Sequence, residues 1–392
     1  MTGARPTERE DTLQRLLAAV ESVRETVAAA AAEAEAIKTL PTATVDAVDA
    51  SGLLRLKLPA ILGGAEADPV TQTKVIEALS YVDASAGWCL MIGASSIAIP
   101  AAFLSNEGVA EVFTPGRVPR ASSAFMPTGT ATPQAGGYLL HGRWAFASGV
   151  RHAAWLNLGA LVADDSGDGP PQHHMFTLPT SQAHIHDNWQ VIGLQGTGSC
   201  DVSVDNVFVP ARMSYDLLHD APKRGGPLYR LGIPAFLANE HAAFAFGVAR
   251  RALDTIVAMS KESRRGIPPT RLVERGTFQK AVGECDLKLR AARALVMELN
   301  ERAWETVVAG VTPDLQLQTA LRSSGAYATA IAVDIITQAY HYAGGSAVYA
   351  SHILQRCLRD IHTATQHLMV SDSAYEQHGK LILGLPEVHP LG

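Results

Sequence analysis

The chain is short of cysteine, of charged residues and of any strong excess of one charge sign. Only four cysteines, at 89, 200, 285 and 357, occur in 392 residues, and no two form a C-x-x-C pair. Such wide spacing excludes a disulfide scaffold and a cysteine zinc cluster, and it suits a reducing cytoplasm. Charged residues are 18% of the chain and the formal net charge is -6. With no basic field, neither nucleic acid nor an anionic membrane is an expected partner. The opening MTGARPTERE has no apolar core of a signal peptide. The apolar stretches GIPAFLANEHAAFAFGVAR and GAYATAIAVDIITQAY carry Glu240 and His241 or Asp334 and are short for a bilayer span, so they read as buried helices.

Several catalytic signatures are missing as well. There is no Walker A sequence and no G-x-S-x-G elbow. GLQGTGS, residues 193–199, has the glycines of a phosphate-cradling loop, but a strand follows it where a dinucleotide-binding unit needs a helix. It reads as a turn, whose amides can approach a ligand closely or simply join two strands. Histidine is plentiful, with 14 in the chain, yet His173, His174, His184 and His186 lack the carboxylates and helical spacing of a metal site. No metal is expected.

Hydrophobic residues are 47% of the chain, enough for a large core. Residues 8–38 are rich in Ala, Glu and Leu without Gly or Pro, which predicts a long helix. Further helices follow, making a helical region over 1–118. From Pro119 to about 225 the period changes to two, most clearly in CDVSVDNVFV, and predicts an antiparallel sheet unit, a small barrel or sandwich. Helical periodicity returns over 226–392, with a long amphipathic helix stopped by Gly310 and an all-round apolar one that must be covered by neighbours. LQRCLRDIHTATQHLMV, residues 354–370, also predicts a helix, with Asp360 and His367 seven apart on one face.

Three stretches occur in the order and spacing of a known family. They are GLLRLKLPAILGGAEADPVTQTKVIEALSYVDASAGW; GGYLLHGRWAFASG with NWQVIGLQGTGSCDVSVDNVFVP; and YHYAGGSAVYASHILQRCLRDIHTATQH. Together they resemble the acyl-CoA dehydrogenase superfamily, and within it the flavin-dependent monooxygenases that serve as oxygenase halves of two-component hydroxylases. The resemblance implies an α+β fold with a helical N-terminal domain, a central antiparallel β-barrel and a C-terminal four-helix bundle, assembled as a homotetramer. It also implies reduced FMN or FAD between sheet and bundle, molecular oxygen as co-substrate and a separate flavin reductase. The flavin would hold oxygen as a C4a-hydroperoxide for attack by an aromatic or heteroaromatic small molecule.

A dehydrogenase of this superfamily needs a carboxylate nine residues past the arginine of its "RD" pair, and Arg359 with Asp360 match that pair. Leu368 occupies the carboxylate position, and no Asp or Glu occurs from 361 to 371. His367 matches the monooxygenase histidine, and an imidazole titrating near neutrality would serve as base or proton manager. The acyl-CoA dehydrogenase or oxidase reading stays as the alternative, and a catalytically dead flavin fold as a third. Ser148 in FASG matches a contact to flavin N5, and Ser123 a polar contact to flavin or substrate, unless both merely cap strand ends. Trp144 and Trp155 are expected in the barrel core, with Trp155 the better candidate for a pocket wall, and Thr197 and Ser199 are candidates for contact to the flavin ribityl chain or phosphate. Gly344, Gly345 and Ser346 match a segment that meets the flavin of a neighbouring subunit, and Arg264 or Arg265 pairs with phosphate or stays a solvated surface charge. Phenol hydroxylases of this kind often carry a second histidine near GASSIAIP, where this chain has Ser95 and Ser96, so an indole, a polycycle or an amine remains open as substrate.

Overall fold

A computed structural model describes residues 6–114, 117–162 and 171–391. Five helices come first: α1 (Pro6–Ile37), α2 (Thr42–Ala50), α3 (Pro69–Val82), α4 (Ala84–Phe103) and α5 (Asn106–Val112). The starts of α3, α4 and α5 each have a side-chain cap. Asp68 accepts from the amides of Val70 and Thr71 to open α3, Asp83 accepts from Ala86 to open α4, and Ser105 accepts from Gly108 to open α5. Asp83 is thus the single residue between α3 and α4. Among the described residues α4 is the one helix long and apolar enough to span a bilayer, and 83% of its apolar window is buried inside the fold. It is the axle of the core: Trp88, Ile97 and Ala101 pack with the other helices, while Ala98, Ile99, Ala102, Phe103 and the following Leu104 pack in the cluster that includes the sheet.

The middle region holds β1 (Ala121–Gln134), β2 (Gly137–Ala147), β3 (Trp155–Val162), β4 (Gln172–Pro179), β5 (His184–Ile185), β6 (Cys200–Pro210) and β7 (Ser214–Tyr215). They form one sheet in the order β5-β6-β2-β1-β3-β4-β7. The expected closed antiparallel barrel is corrected here on two counts. β1 pairs with β3 in parallel, and the sheet is open, its edges β5 and β7 being two residues each and unpaired with each other. Alternating hydrophobicity encodes which face of a strand is buried and leaves its direction unspecified, which is why the parallel pairing was not foreseen. Trp144 fills the sheet core, its indole N–H donating to the Gly159 carbonyl at 2.6 Å.

The chain then returns to helix: α6 (Ile233–Ser260), a small hairpin of β8 (Arg264–Arg265) and β9 (Thr270–Arg271), α7 (Gly276–Val308), α8 (Leu315–Ala343), α9 (Ile353–Ala364) and α10 (Ser373–Ile382). Gly310, at φ 84, follows α7 as its stop. The largely apolar α8 is covered by α6, α7, α9 and α10.

Candidate active site

A local irregularity in β2 creates the site. Between Trp144 and Ala147 the pairing with β6 slips by one residue, and Phe146 takes φ 64. That bulge turns the Phe146 ring outward, 70% exposed, and sends the next polar side chain, Ser148, inward. Gly149 follows at φ 72 with open space where a Cβ would stand. In the stretch beyond, Arg151 pairs with Asp187 at the surface and His152 bonds the Thr39 hydroxyl at 2.8 Å. The half-buried Trp155 begins β3 beside Ala121.

Ser148 sits in a hydrogen-bonded chain whose direction is fixed at both ends. The Leu194 carbonyl can only accept, so Thr197 donates its hydroxyl to it at 2.8 Å. Thr197 then accepts from Ser199 at 2.7 Å, and Ser199 from Ser148 at 2.8 Å. At the other end the Trp88 indole N–H can only donate, and it reaches Ser148 Oγ at 3.1 Å. The Ser148 proton is therefore committed to Ser199, and one lone pair on Ser148 remains unused. Ser123 lies in a second network: Asn157 Nδ2 donates to Ser123 Oγ at 3.0 Å and to the Ser96 carbonyl at 2.8 Å, and Thr177 donates to Asn157 Oδ1 at 2.9 Å.

GLQGTGS is a tight irregular turn before β6, not a helix start. Leu194 holds the left-handed φ of 50. Its amide donates to Asp360 Oδ1 at 2.6 Å, and its carbonyl receives Thr197. Desolvation in this buried position raises the Asp360 carboxyl to about 7. Arg359 completes the clamp, donating to the Ile192 carbonyl and to Glu35, both at 2.6 Å. A methyl group on Gly193 would run into the Arg359 carbonyl. The "RD" pair thus fastens the turn that carries Thr197 and Ser199.

His367 is not on a helix. α9 ends at Ala364, and His367 lies at φ -79, ψ 137 as the cap of a short 3₁₀ turn, so it shares no helical face with Asp360. Its Nδ1 accepts from the Met369 amide at 3.2 Å. The ring hydrogen must then reside on Nε2. Burial pushes the imidazole down to about 4, which corrects the expectation of a group titrating near neutrality. Trp88 joins this residue to Ser148: its ring lies 5.6 Å from that of His367, edge to face, while its N–H reaches the serine. Reading the sequence assigned no role to Trp88, nor to His241 of α6, whose ring is 4.3 Å from His367. It also missed a buried pair, Lys57 with Glu240 at 2.7 Å, in which desolvation raises the carboxyl and lowers the amine. Ser95 donates to the same carboxylate at 2.7 Å. The only signal for these was position within stretches already quoted.

The remaining candidates form a second group on the C-terminal helices. Arg265 donates to the Ala343 carbonyl and covers Gly344, Ser346 bonds the same carbonyl at 2.8 Å, and Gly345 faces open space. Arg265 Nε is buried without a partner.

These residues fit a flavin. Ser148 offers a free acceptor, Phe146 an exposed aromatic face, Gly149 and Gly345 room for close approach, and Arg265 an unpaired donor suited to phosphate. A cavity of about 50 Å³ beside Ser148 and Gly149, walled by Leu40, Leu90 and Ile97, is far below the roughly 150 Å³ that holds a benzene ring.

The chain matches two family models, the acyl-CoA dehydrogenase N-terminal domain over residues 8–115 and the C-terminal domain over 240–372. It is 31% identical to an indole-3-acetate monooxygenase of Pseudomonas putida over 342 residues, 87% of this chain and 86% of that protein. It is 28% identical to the flavin-dependent monooxygenase oxygenase subunit HsaA of Rhodococcus jostii over 384 residues, 95% and 98% of the two chains. Among solved structures, XiaF from Streptomyces sp., in complex with FADH2 and glycerol, superposes with a TM-score of 0.90 at 25% identity, covering 98% of each chain.

Proposed function

From the premise that the chain belongs to the acyl-CoA dehydrogenase family, we infer that it is the oxygenase component of a two-component flavin-dependent monooxygenase, hydroxylating a small aromatic or heteroaromatic molecule. One observation carries the choice of branch. At the dehydrogenase base position stands Leu368, half exposed, and the titratable group beside it is His367, tied through Trp88 to Ser148. The buried carboxylate found nearby, Glu240, belongs to α6 rather than to that position, and its Oε1 is held by Lys57 and Ser95.

Reduced FMN or FAD, delivered by a separate reductase, supplies the electrons that activate molecular oxygen. The protein's own groups do the rest. Ser148 Oγ, with its proton given to Ser199, offers a lone pair to an N–H at the reacting edge of the cofactor. His367, neutral with its hydrogen on Nε2, donates to an oxygen and so stabilises developing negative charge there without gaining a proton. Trp88, Phe244 and Trp155 wall the space with apolar surface and keep water from the reacting oxygen.

Thr197 and Ser199 suit the ribityl or phosphate side. Arg265, Gly344, Gly345 and Ser346 suit the far end of a neighbouring subunit's flavin in a homotetramer; the exposed apolar Val348 and Tyr349 beside them, 70% and 72% exposed, support such an interface. A cytoplasmic setting agrees with four free cysteines.

The test is rapid mixing of the reduced-flavin complex with oxygen, with and without phenols, indoles and amines. A near-ultraviolet transient followed by hydroxylated product is expected. Peroxide release alone, with every aromatic, would overturn the reading, and bleaching of tightly bound oxidised FAD by an acyl-CoA would favour the dehydrogenase instead.

A further inference from the structure

His241 is the buried group that the hydroxylation machinery above leaves unused. It lies in α6, 3% exposed, and its Nδ1 faces the Leu237 carbonyl at 3.3 Å. A carbonyl only accepts, so the ring hydrogen sits on Nδ1 and the lone pair on Nε2. No protein group among the described residues meets that Nε2. A buried acceptor left empty is rare in folded proteins and points to a ligand atom or a water.

Its surroundings say which. The His241 ring lies 4.3 Å from His367 and 5.7 Å from Trp88, inside the group already joined to Ser148. The two imidazoles are held as opposite tautomers, His367 presenting an N–H and His241 a lone pair. Desolvation, with help from His367 and Lys57, holds His241 well below its ordinary value, so it accepts hydrogen bonds and does not take up protons. Ser95 of α4 is spent on Glu240. His241 Nε2, on α6, is an unpartnered acceptor whose ring contacts those of His367 and Trp88.

We propose that His241 Nε2 reads an O–H or N–H donor on the aromatic substrate and is a specificity-determining residue of the hydroxylase. The proposal rests on the monooxygenase reading of the site. A phenol or an indole fills the acceptor, and the accepted hydrogen bond draws electron density toward the ring that is to be hydroxylated. A methyl group in place of that hydrogen leaves Nε2 empty and crowds it. Sites that hydrogen-bond a substrate polar group discriminate strongly against analogues lacking it.

The test is equilibrium binding to the anaerobic, reduced-flavin enzyme of two matched pairs, 2-naphthol with 2-methoxynaphthalene and indole with 1-methylindole. In at least one pair the methylated member is expected to bind roughly ten- to hundred-fold more weakly, and the pair that responds tells an O–H from an N–H donor. His241→Leu should bring that ratio to within about three-fold, and His241→Gln, which keeps an acceptor, should retain part of it. Ratios near one in the wild-type enzyme, no binding by either member of both pairs, or a ratio that survives His241→Leu would overturn the proposal. Binding is read whether or not hydroxylation occurs, so a methyl-insensitive enzyme that still hydroxylates sinks only this proposal, and an enzyme that binds selectively but releases only peroxide sinks only the monooxygenase reading.

Discussion

Ser148→Ala removes the one hydroxyl that links the Trp88 indole to the chain through Ser199 and Thr197 to Leu194. Two consequences of different kind follow. In the flavin-free protein, the buried Trp88 N–H loses its acceptor and the Ser199 oxygen loses the donor that Ser148 supplied. An unsatisfied buried group costs about 1–3 kcal/mol, and Ser199 can turn to a new partner, so a net loss of about 1–3 kcal/mol in urea denaturation is expected. In the flavin complex, the variant loses the lone pair offered to the cofactor N–H. A hydrogen bond of about 1–3 kcal/mol corresponds to roughly 5- to 150-fold faster loss of the oxygen transient, with peroxide replacing hydroxylated product. Stopped-flow absorbance gives the lifetime, and peroxide per flavin oxidised gives the coupling. Ser148→Thr keeps the hydroxyl and should recover both in part. If Ser148→Ala gave a transient of wild-type lifetime and wild-type coupling, Ser148 would not face the reacting edge, and the assignment of the cofactor position would be wrong.

His367→Phe keeps an aromatic ring against Trp88 but removes the Nε2–H donor and the acceptor for the Met369 amide; product per flavin oxidised should fall about ten-fold or more. Because His367 titrates at about 4, wild-type coupling should show no inflection near pH 6.5 that disappears in this variant, and finding one would contradict the neutral imidazole. Asp360 sits at about 7 against an ordinary 3.8, so the folded state binds the proton more tightly. Its stabilising contribution is complete below pH 4 and lost as pH rises through 7; Asp360→Asn, which still accepts from Leu194, should remove a slope on the order of 4 kcal/mol, read from urea midpoints between pH 4 and pH 8. Lys57→Met strands Glu240 in the core and should cost about 3–5 kcal/mol, while Lys57→Met with Glu240→Leu should regain most of it. A double variant as unstable as the single one would show that packing rather than charge pairing governs this position.

The order of helices, strands and helices was legible because hydrophobic period is a local property of the sequence. Gly310 marks a helix end in the sequence, and it has the positive φ of such an end. Strand direction is not local: β1 and β3 run parallel because the chain crosses through β2 and the turn at Gly149, and nothing in their alternation records it. The continuation of α9 to Val370 failed for a related reason. Thr365, Gln366 and His367 carry adequate helix propensity, but the His367 ring turns back to accept the Met369 amide and packs on Trp88, a tertiary contact that outweighs one more helical turn. Ser148, Ser199 and Thr197 were each visible in the sequence, and the structure connects them in one chain of hydroxyls. Trp88, Lys57 and the Glu240–His241 pair were invisible as a group, since they come from three separate segments and meet only in the folded chain.

A crystal structure of the complex with reduced flavin tests the central claim most directly. The account predicts the isoalloxazine N5 within about 3.2 Å of Ser148 Oγ, with His367 Nε2 turned toward the same edge and the bonds from Trp88 through Thr197 intact. A flavin bound with its ring elsewhere, or with Ser148 turned away from N5, would contradict it.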